Sequence, residues 1–256
     1  MPALFPDTTP QKSNDHAYTD AYAKFIEIAA HDLRAPLRKL GVLTDRLTAN
    51  YEQVAGDEVK QYTKRIHASI AEMQALIEGF TEYAGAAPFT MELATCDLAT
   101  ITKKVLQELN PLVKENNAEI NVGDLPVIQG DCTQLQLMIK KILDNSFRFR
   151  RPADTLKISI TADAASADEL HTHGLDAEKK FHRIIIADNG IGFAGQDAGT
   201  IFNPLVRLNG KSSYPGSGMG LATVKRIVEN HQGAVFAEGK ENGAAIILLL
   251  PENQEQ

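Results

Sequence analysis

Apolar positions between residues 18 and 50 recur in steps of three and four: Ile26, Ala30, Leu33, Leu37, Leu40 and Leu47, with Thr44 in the same series. That spacing predicts a helix with a heptad seam. A second series, Val59, Tyr62, Ile66, Ser69, Met73, Leu76, Phe80 and Tyr83, predicts a second long helix. Between them NYEQVAGDE holds a glycine where the chain can turn, so the two helices form an antiparallel hairpin. Ile28 and Ile70 flank the seams, and a single partner helix would leave them in water. Pairing two hairpins into a dimeric four-helix bundle would bury them. A monomeric hairpin packed on a second domain is the alternative.

GAAP at 85–88 breaks the second helix, and the pattern changes after it. Helix is predicted at 97–116, short strands at 119–122 and 126–129, helix at 131–147 and a strand at 156–162. A polar loop at 163–180 follows, then a strand at 183–188, a glycine-rich stretch at 190–220, a helix at 221–231, and strands at 234–238 and 244–250. The fold class is α+β in two domains, the second an α/β two-layer sandwich. The boundaries read as a polar, proline-broken lead-in at 1–17, the hairpin at 18–86, a linker at 87–96, the second domain at 97–252 and a tail at 253–256.

Composition narrows the possible partners. A net charge of −7 and a pI near 5.5 argue against unaided binding to nucleic acid or to an anionic membrane. No segment reaches the roughly 20 apolar residues of a membrane span, so no direct membrane insertion is expected. Cys96 and Cys132 are far apart and read as no disulfide framework, which fits a reduced, cytoplasmic compartment.

Four stretches carry candidate chemistry. FIEIAAHDLRAPLRKL places His31 and Asp32 on the first helix, next to the seam residue Ala30, with His31 on an outward stripe with Glu27, Arg34 and Arg38. IIIADNGIGF puts Asp188 at a strand end beside Gly190 and Gly192, where a carboxylate can accept from an exocyclic amine and the backbone can approach a ligand. Taken alone, an Asn-Gly turn explains it as well. Gly216, Gly218 and Gly220 alternate just before a helix, an arrangement that aims N–H groups and a helix N-terminus at phosphate. A flexible loop is the plain alternative, and the spacing is not that of a Rossmann fingerprint. In QLQLMIKKILDNSFRFRRP, Asn145 offers a neutral oxygen suited to Mg²⁺ on nucleotide phosphates. Arg148 could meet phosphate and Phe149 a purine ring; a solvated helix end is the competing reading.

In this order, His-Asp-x-x-x-Pro-Leu, Asp-Asn-Ser-x-Arg-Phe, Asp-x-Gly-x-Gly, Ile-Phe-Asn-Pro-Leu-Val-Arg-Leu and Gly-x-Gly-x-Gly-Leu resemble the sensor histidine kinases across about residues 20–251. The resemblance looks closest to the cores of phytochrome-like and PAS-type kinases. It implies a dimerisation and phosphotransfer hairpin, then an ATP-binding domain of the type shared with DNA gyrase (the Bergerat type). By that resemblance His31 is the phosphoacceptor and Asp32 its acidic neighbour. Asn145 is the magnesium ligand, with Arg148 and Phe149 in place of the usual lysine and tyrosine, and Asp188 reads adenine beside Gly190 and Gly192. Phe202 and Arg207 fall in the phenylalanine box, the arginine near the γ-phosphate. Gly216, Gly218, Gly220 and Leu221 match the second glycine box, and 193–215 becomes the mobile lid. The implied cofactors are ATP and Mg²⁺. The implied partners are a second copy of the chain, a response regulator receiver domain, and a separate sensor protein or a missing sensor domain.

Two positions depart from the family pattern. Lys141 stands where another asparagine is usual, four residues before Asn145. Ala35 stands where a threonine or asparagine is thought to orient a hydrolytic water, which predicts weak phosphatase activity. Poor turnover caused by Lys141 would leave an ATP-binding scaffold, the second functional class. His171, His173 and His182 read as part of a solvated hairpin loop rather than a metal cluster, and His231 as a cation at a helix end.

Overall fold

The computed structural model describes residues 12–51, 57–86, 91–208, 216–240 and 242–254. Helices α1 (Lys12–Tyr51) and α2 (Asp57–Gly85) pack together as the antiparallel hairpin. Helix α1 starts six residues before the expected boundary, so residues 12–17 of the lead-in are helical, while 1–11 lie outside the described residues. The glycine turn at 52–56 and the linker residues 87–90 also lie outside them. Pro36 sits inside α1, which continues past it.

The hairpin seam differs from the expected one by a rotation of α2. Of the expected α1 series Ala30, Leu37 and Thr44 are buried, whereas Leu33, Leu40 and Leu47 are exposed. From α2 the buried residues are Thr63, Ile70, Ile77 and Ala84, each one position beyond Tyr62, Ser69, Leu76 and Tyr83. Ile70, expected to flank the seam, is therefore inside it. The polar members are satisfied locally: Thr44 Oγ1 donates to the Leu40 carbonyl at 2.8 Å and Thr63 Oγ1 to the Val59 carbonyl at 3.0 Å. Leu33, Leu40, Val42, Leu43 and Leu47 on α1, and Val59, Tyr62, Ile66 and Met73 on α2, stay exposed.

The second unit is built on one mixed sheet. Its strands are β2 (Glu119–Val122), β4 (Lys157–Ala164), β5 (Phe181–Asp188), β6 (Ala234–Lys240) and β7 (Gly243–Pro251), in the order β2-β4-β5-β7-β6. Only β2 and β4 pair in parallel. Helices α3 (Leu98–Glu108), α5 (Cys132–Arg148) and α7 (Gly220–Asn230) contribute Val105, Leu135, Met138, Leu143, Val224 and Ile227 to the core, where they meet Ile158, Ile160, Ile184, Ile186, Ile246 and Leu248. The expected single helix over 97–116 is two: Pro111, at the start of α4 (Asn110–Glu115), cannot continue the ladder of α3.

Two further differences have physical causes. The stretch 163–180, expected as a solvated loop, contains α6 (Ala167–Thr172). Leu170 of that helix packs with Phe181 and Leu249 on the second face of the sheet, with Leu175 alongside, and His173 stacks on Phe236 at 4.3 Å. That cover explains why β7 reads as an unbroken apolar run: it is buried on both faces. The second difference is the cysteines. Strand β1 (Ala94–Asp97) pairs antiparallel with β3 (Val127–Gly130), and β3 leads directly into α5. Cys96 and Cys132, expected to be unrelated, are thereby brought to a Cα separation of 5.5 Å and form a disulfide.

Candidate functional site

One cleft is assembled from three places in the chain: the end of α5, the end of β5 and the start of α7. Helix α5 is fixed at its start by Asp131, whose Oδ1 accepts from the backbone N–H groups of Thr133 and Gln134 at 2.9 and 3.0 Å. Its apolar face buries Leu135, Met138, Ile142 and Leu143, which turns Lys141, Asn145 and Arg148 toward the opposite side. Asp144 lies on the same side, and burial pushes its carboxyl up against the pull of Lys141, Lys140 and Arg148.

Asp188 is held at both oxygens. Ser146 Oγ donates to Oδ2 at 2.8 Å, and the Gly190 N–H donates to Oδ1 at 2.8 Å. The adjacent Asn189 pins the strand end: its side chain accepts from the Lys157 N–H and donates to the Thr155 carbonyl at 2.8 and 2.9 Å. The loop then folds onto α5, with the Ile191 N–H donating to the Phe149 carbonyl at 2.9 Å. Gly192 has a φ of 68°, and a Cβ there would collide with the Lys240 carbonyl. Gly218 has a φ of 73° and packs on the backbone of Leu205 and Val206; its carbonyl accepts from the Leu205 N–H at 3.0 Å. Met219 precedes α7 without a side-chain cap, so the positive end of that helix opens at Gly220 and Leu221.

These pieces line a single open cleft. Asn145, Ser146, Arg148, Phe149, Asp188, Gly192, Arg207, Gly216, Gly218, Gly220 and Leu221 all face it, over a floor of Ile142, Ala244 and Ile246. It encloses about 140 Å³, which is less than the roughly 300 Å³ at the small end of ligand pockets. Gly190 braces the cleft from behind, against the Phe149 carbonyl. Phe202 is buried in the core beneath. Residues 209–215 of the expected lid lie outside the described residues.

His31 stands apart, exposed on α1. Its neighbour Ala30 packs with Ile77, and Arg34 Nη2 donates to Thr81 Oγ1 at 3.0 Å, so His31 lies at the level of residues 77–81 of α2. The side chain of Asp32 lies outside the described residues. The cleft-bearing unit rests on the same part of α2: a Cβ at Gly79 would lie 2.8 Å from both Met219 Cβ and Ser217 Oγ. Arg207 Nη1 is 3.8 Å from Glu72.

Two residues were missed or misread. Ser146 orients Asp188 across 42 positions of sequence, and only its place one residue after Asn145 hinted at this. His231 is fully buried rather than a cation at a helix end. Its Nε2 accepts from the Asp131 N–H at 3.0 Å while Nδ1 lies 2.7 Å from the Ile227 carbonyl. Burial pushes its pKa below the ordinary value, partly opposed by that carbonyl and by Asp131.

Residues 130–254 match the family of histidine kinase-, DNA gyrase B-, and HSP90-like ATPases. A phytochrome-like protein of Synechocystis is 29% identical over 89% of this chain, which spans 29% of that relative. The signal transduction histidine-protein kinase/phosphatase MprB of Mycobacterium ulcerans is 25% identical over 90% of the chain and 44% of its own length. Full-length ShkA, solved in complex with AMPPNP, has a TM-score of 0.61 at 22% identity, covering 91% of this chain and 47% of that one. Residues 130–254 are thus an ATP-binding domain of the histidine kinase-, DNA gyrase B- and HSP90-like (Bergerat) type, and the chain as a whole is similar to the cores of sensor histidine kinases.

Proposed function

We propose that this sensor histidine kinase core transfers the γ-phosphoryl group of ATP to His31 and then passes it to an aspartate on a response regulator. The observation that supports this most is the convergence of Asn145, Asp188, Arg207 and the Gly216–Gly218–Gly220 loop on one cleft, in a unit that rests on the hairpin at the level of an exposed His31. Asp188, held by Ser146 and Gly190, keeps lone pairs for the adenine amine. Phe149 lies against the base, and Arg148 with the N–H groups at the start of α7 meets the phosphates.

Asn145 is the magnesium ligand in this reading. Its oxygen faces Gly220, and a single neutral amide oxygen fits an ion held mainly by phosphates. When bound, the ion supplies neutralisation of phosphate charge. Arg207 would stabilise the transferring group, and a nitrogen of the uncharged His31 ring attacks the γ-phosphorus as ADP leaves. Asp32 takes the ring proton from the other nitrogen. Most of the catalysis is positioning and charge stabilisation.

The exposed apolar stripe on α1 and α2 supports a second copy of the chain as partner, giving the four-helix bundle. Among the described residues no helix is long and apolar enough to cross a membrane. The stimulus would arrive from a sensor domain or sensor protein, and the reaction belongs in the cytoplasm, where ATP and receiver domains are found.

Incubation with γ-labelled ATP and Mg²⁺ tests the reading. Acid-labile, base-stable label that disappears in His31→Gln is expected. Nucleotide binding with no label in the wild-type chain would instead favour the scaffold.

A further inference from the structure

Lys141 already has a partner outside the cleft. Its Nζ lies 2.5 Å from Oε2 of Glu82, near the end of α2, and only 19% of the Lys141 side chain is exposed. The pair therefore joins the ATP-binding domain to the hairpin. Close by, the Arg226 guanidinium lies over the Tyr83 ring at 4.6 Å, and Asn230 Nδ2 donates to the Ala86 carbonyl at 2.9 Å. Both bind α7 to the last turn of α2. Arg207 reaches Glu72 about three turns earlier on the same helix. Three side chains of the ATP-binding domain thus grip α2, and a fourth holds Ala86 just past its end.

The stem of Lys141 gives the pair a second meaning. Its Cδ and Asn145 Oδ1 lie at the same 4.0 Å from the Cβ position of Gly220, the first residue of α7. Lysine has four rotatable carbons and a compact charge. From this stem the ammonium group can turn either outward to Glu82 or inward to the phosphate site at the start of α7. One cation cannot satisfy both.

We propose that Lys141 is a shared cation whose choice between Glu82 and the nucleotide phosphates couples docking of the ATP-binding domain to occupancy of its cleft. This rests on the nucleotide-site reading above. With the cleft empty, Lys141 latches the domain to α2. When phosphate arrives, the latch opens and the domain gains freedom to move along the hairpin. Arg207, 3.8 Å from Glu72, also lines the cleft and follows the same logic at the other end of the contact. An isolated surface ion pair would do little, but the Lys141 side chain is largely shielded and the pair is one of a set of contacts joining the two units.

The test compares Glu82→Gln with Lys141→Asn in the full chain. Hydrogen exchange without nucleotide should show amides 72–86 of α2 exchanging several-fold faster in both variants. Titration with ADP and Mg²⁺ should separate them: Glu82→Gln frees Lys141 and tightens binding about 3- to 10-fold, whereas Lys141→Asn weakens it. The double reversal, Glu82→Lys with Lys141→Glu, should restore protection of α2 without restoring affinity. Unchanged exchange in both single variants would overturn the latch. Faster exchange with unchanged ADP affinity in Glu82→Gln would overturn the coupling. If the wild-type chain failed to bind ADP, the nucleotide site and the coupling would fall together, while the exchange data would still report on docking.

Discussion

The two units of this chain spend their apolar residues differently. In the ATP-binding domain Val105, Leu135, Leu143, Val224, Ile227, Leu248, Leu249 and Leu250 are fully buried within one chain. In the hairpin Ala30, Leu37, Thr44, Thr63, Ile70, Ile77 and Ala84 are buried, while large apolar residues from Leu33 to Met73 face water. A domain that buries its core has a stability of its own. A hairpin that exposes, among its described residues, nine large apolar side chains has a surface suited to a partner. The first unit is closed on itself while the second leaves an apolar face open, which is the contrast the proposed dimeric hairpin rests on.

The sharpest way to break the contrast is matched truncation. Leu248→Ala removes a fully buried side chain and should destabilise the ATP-binding domain by about 2–5 kcal/mol, read from its urea midpoint. Leu40→Ala should leave that midpoint within about 0.5 kcal/mol. It should instead raise the dissociation constant of the proposed dimer, measured by sedimentation. Equal effects of the two changes on the urea midpoint would erase the distinction.

Next in size is the covalent tie. Cys96 and Cys132 are 36 residues apart and join β1 to α5 entirely within the ATP-binding domain. Replacing both with serine should cost about 2–4 kcal/mol there, and melting followed with and without reductant should move by the same amount in the wild type alone. Dimerisation should be unaffected.

Smaller again is a pH effect. His231 is buried and its folded pKa lies below the ordinary value near 6.5. Above pH 6.5 both states are neutral and the group contributes no pH dependence. As pH falls below 6.5, the unfolded chain takes up a proton that the folded domain refuses, so stability is lost until the folded pKa is reached. The slope is at most about 1.4 kcal/mol per pH unit. Urea midpoints at pH 7.5 and 5.5 should differ less in His231→Asn than in the wild type.

The smallest structural change tests the hairpin's chemistry. Ala35 is exposed one turn after His31, so Ala35→Thr should leave folding unaltered. It should speed dephosphorylation of the partner regulator. An unchanged rate would count against the role assigned to that position.

Much of this was legible in one dimension. Helix and strand periods located nearly every element, because the periods of 3.6 and 2 depend only on neighbours along the chain. The glycine and carboxylate motifs pointed to most of the cleft lining. What escaped were features that depend on partners remote in sequence. Ser146 meets Asp188 only once α5 packs beside β5. His231 looked exposed at a helix end, yet the cap at Asp131 folds over it. The face of α2 was misjudged by one residue, since Thr63 carries its own hydroxyl partner and so can replace an apolar residue in the seam.

By itself the sequence determined the kinds of element, their order and the chemical identity of the groups in the cleft, since local sterics and composition suffice for those. Only the tertiary structure decided which groups meet: that two distant cysteines bond, that α6 closes the second face of β7, and that Lys141 reaches Glu82 instead of standing over the cleft. Such contacts arise from chain segments packed together in space, and no spacing along the chain encodes that distance.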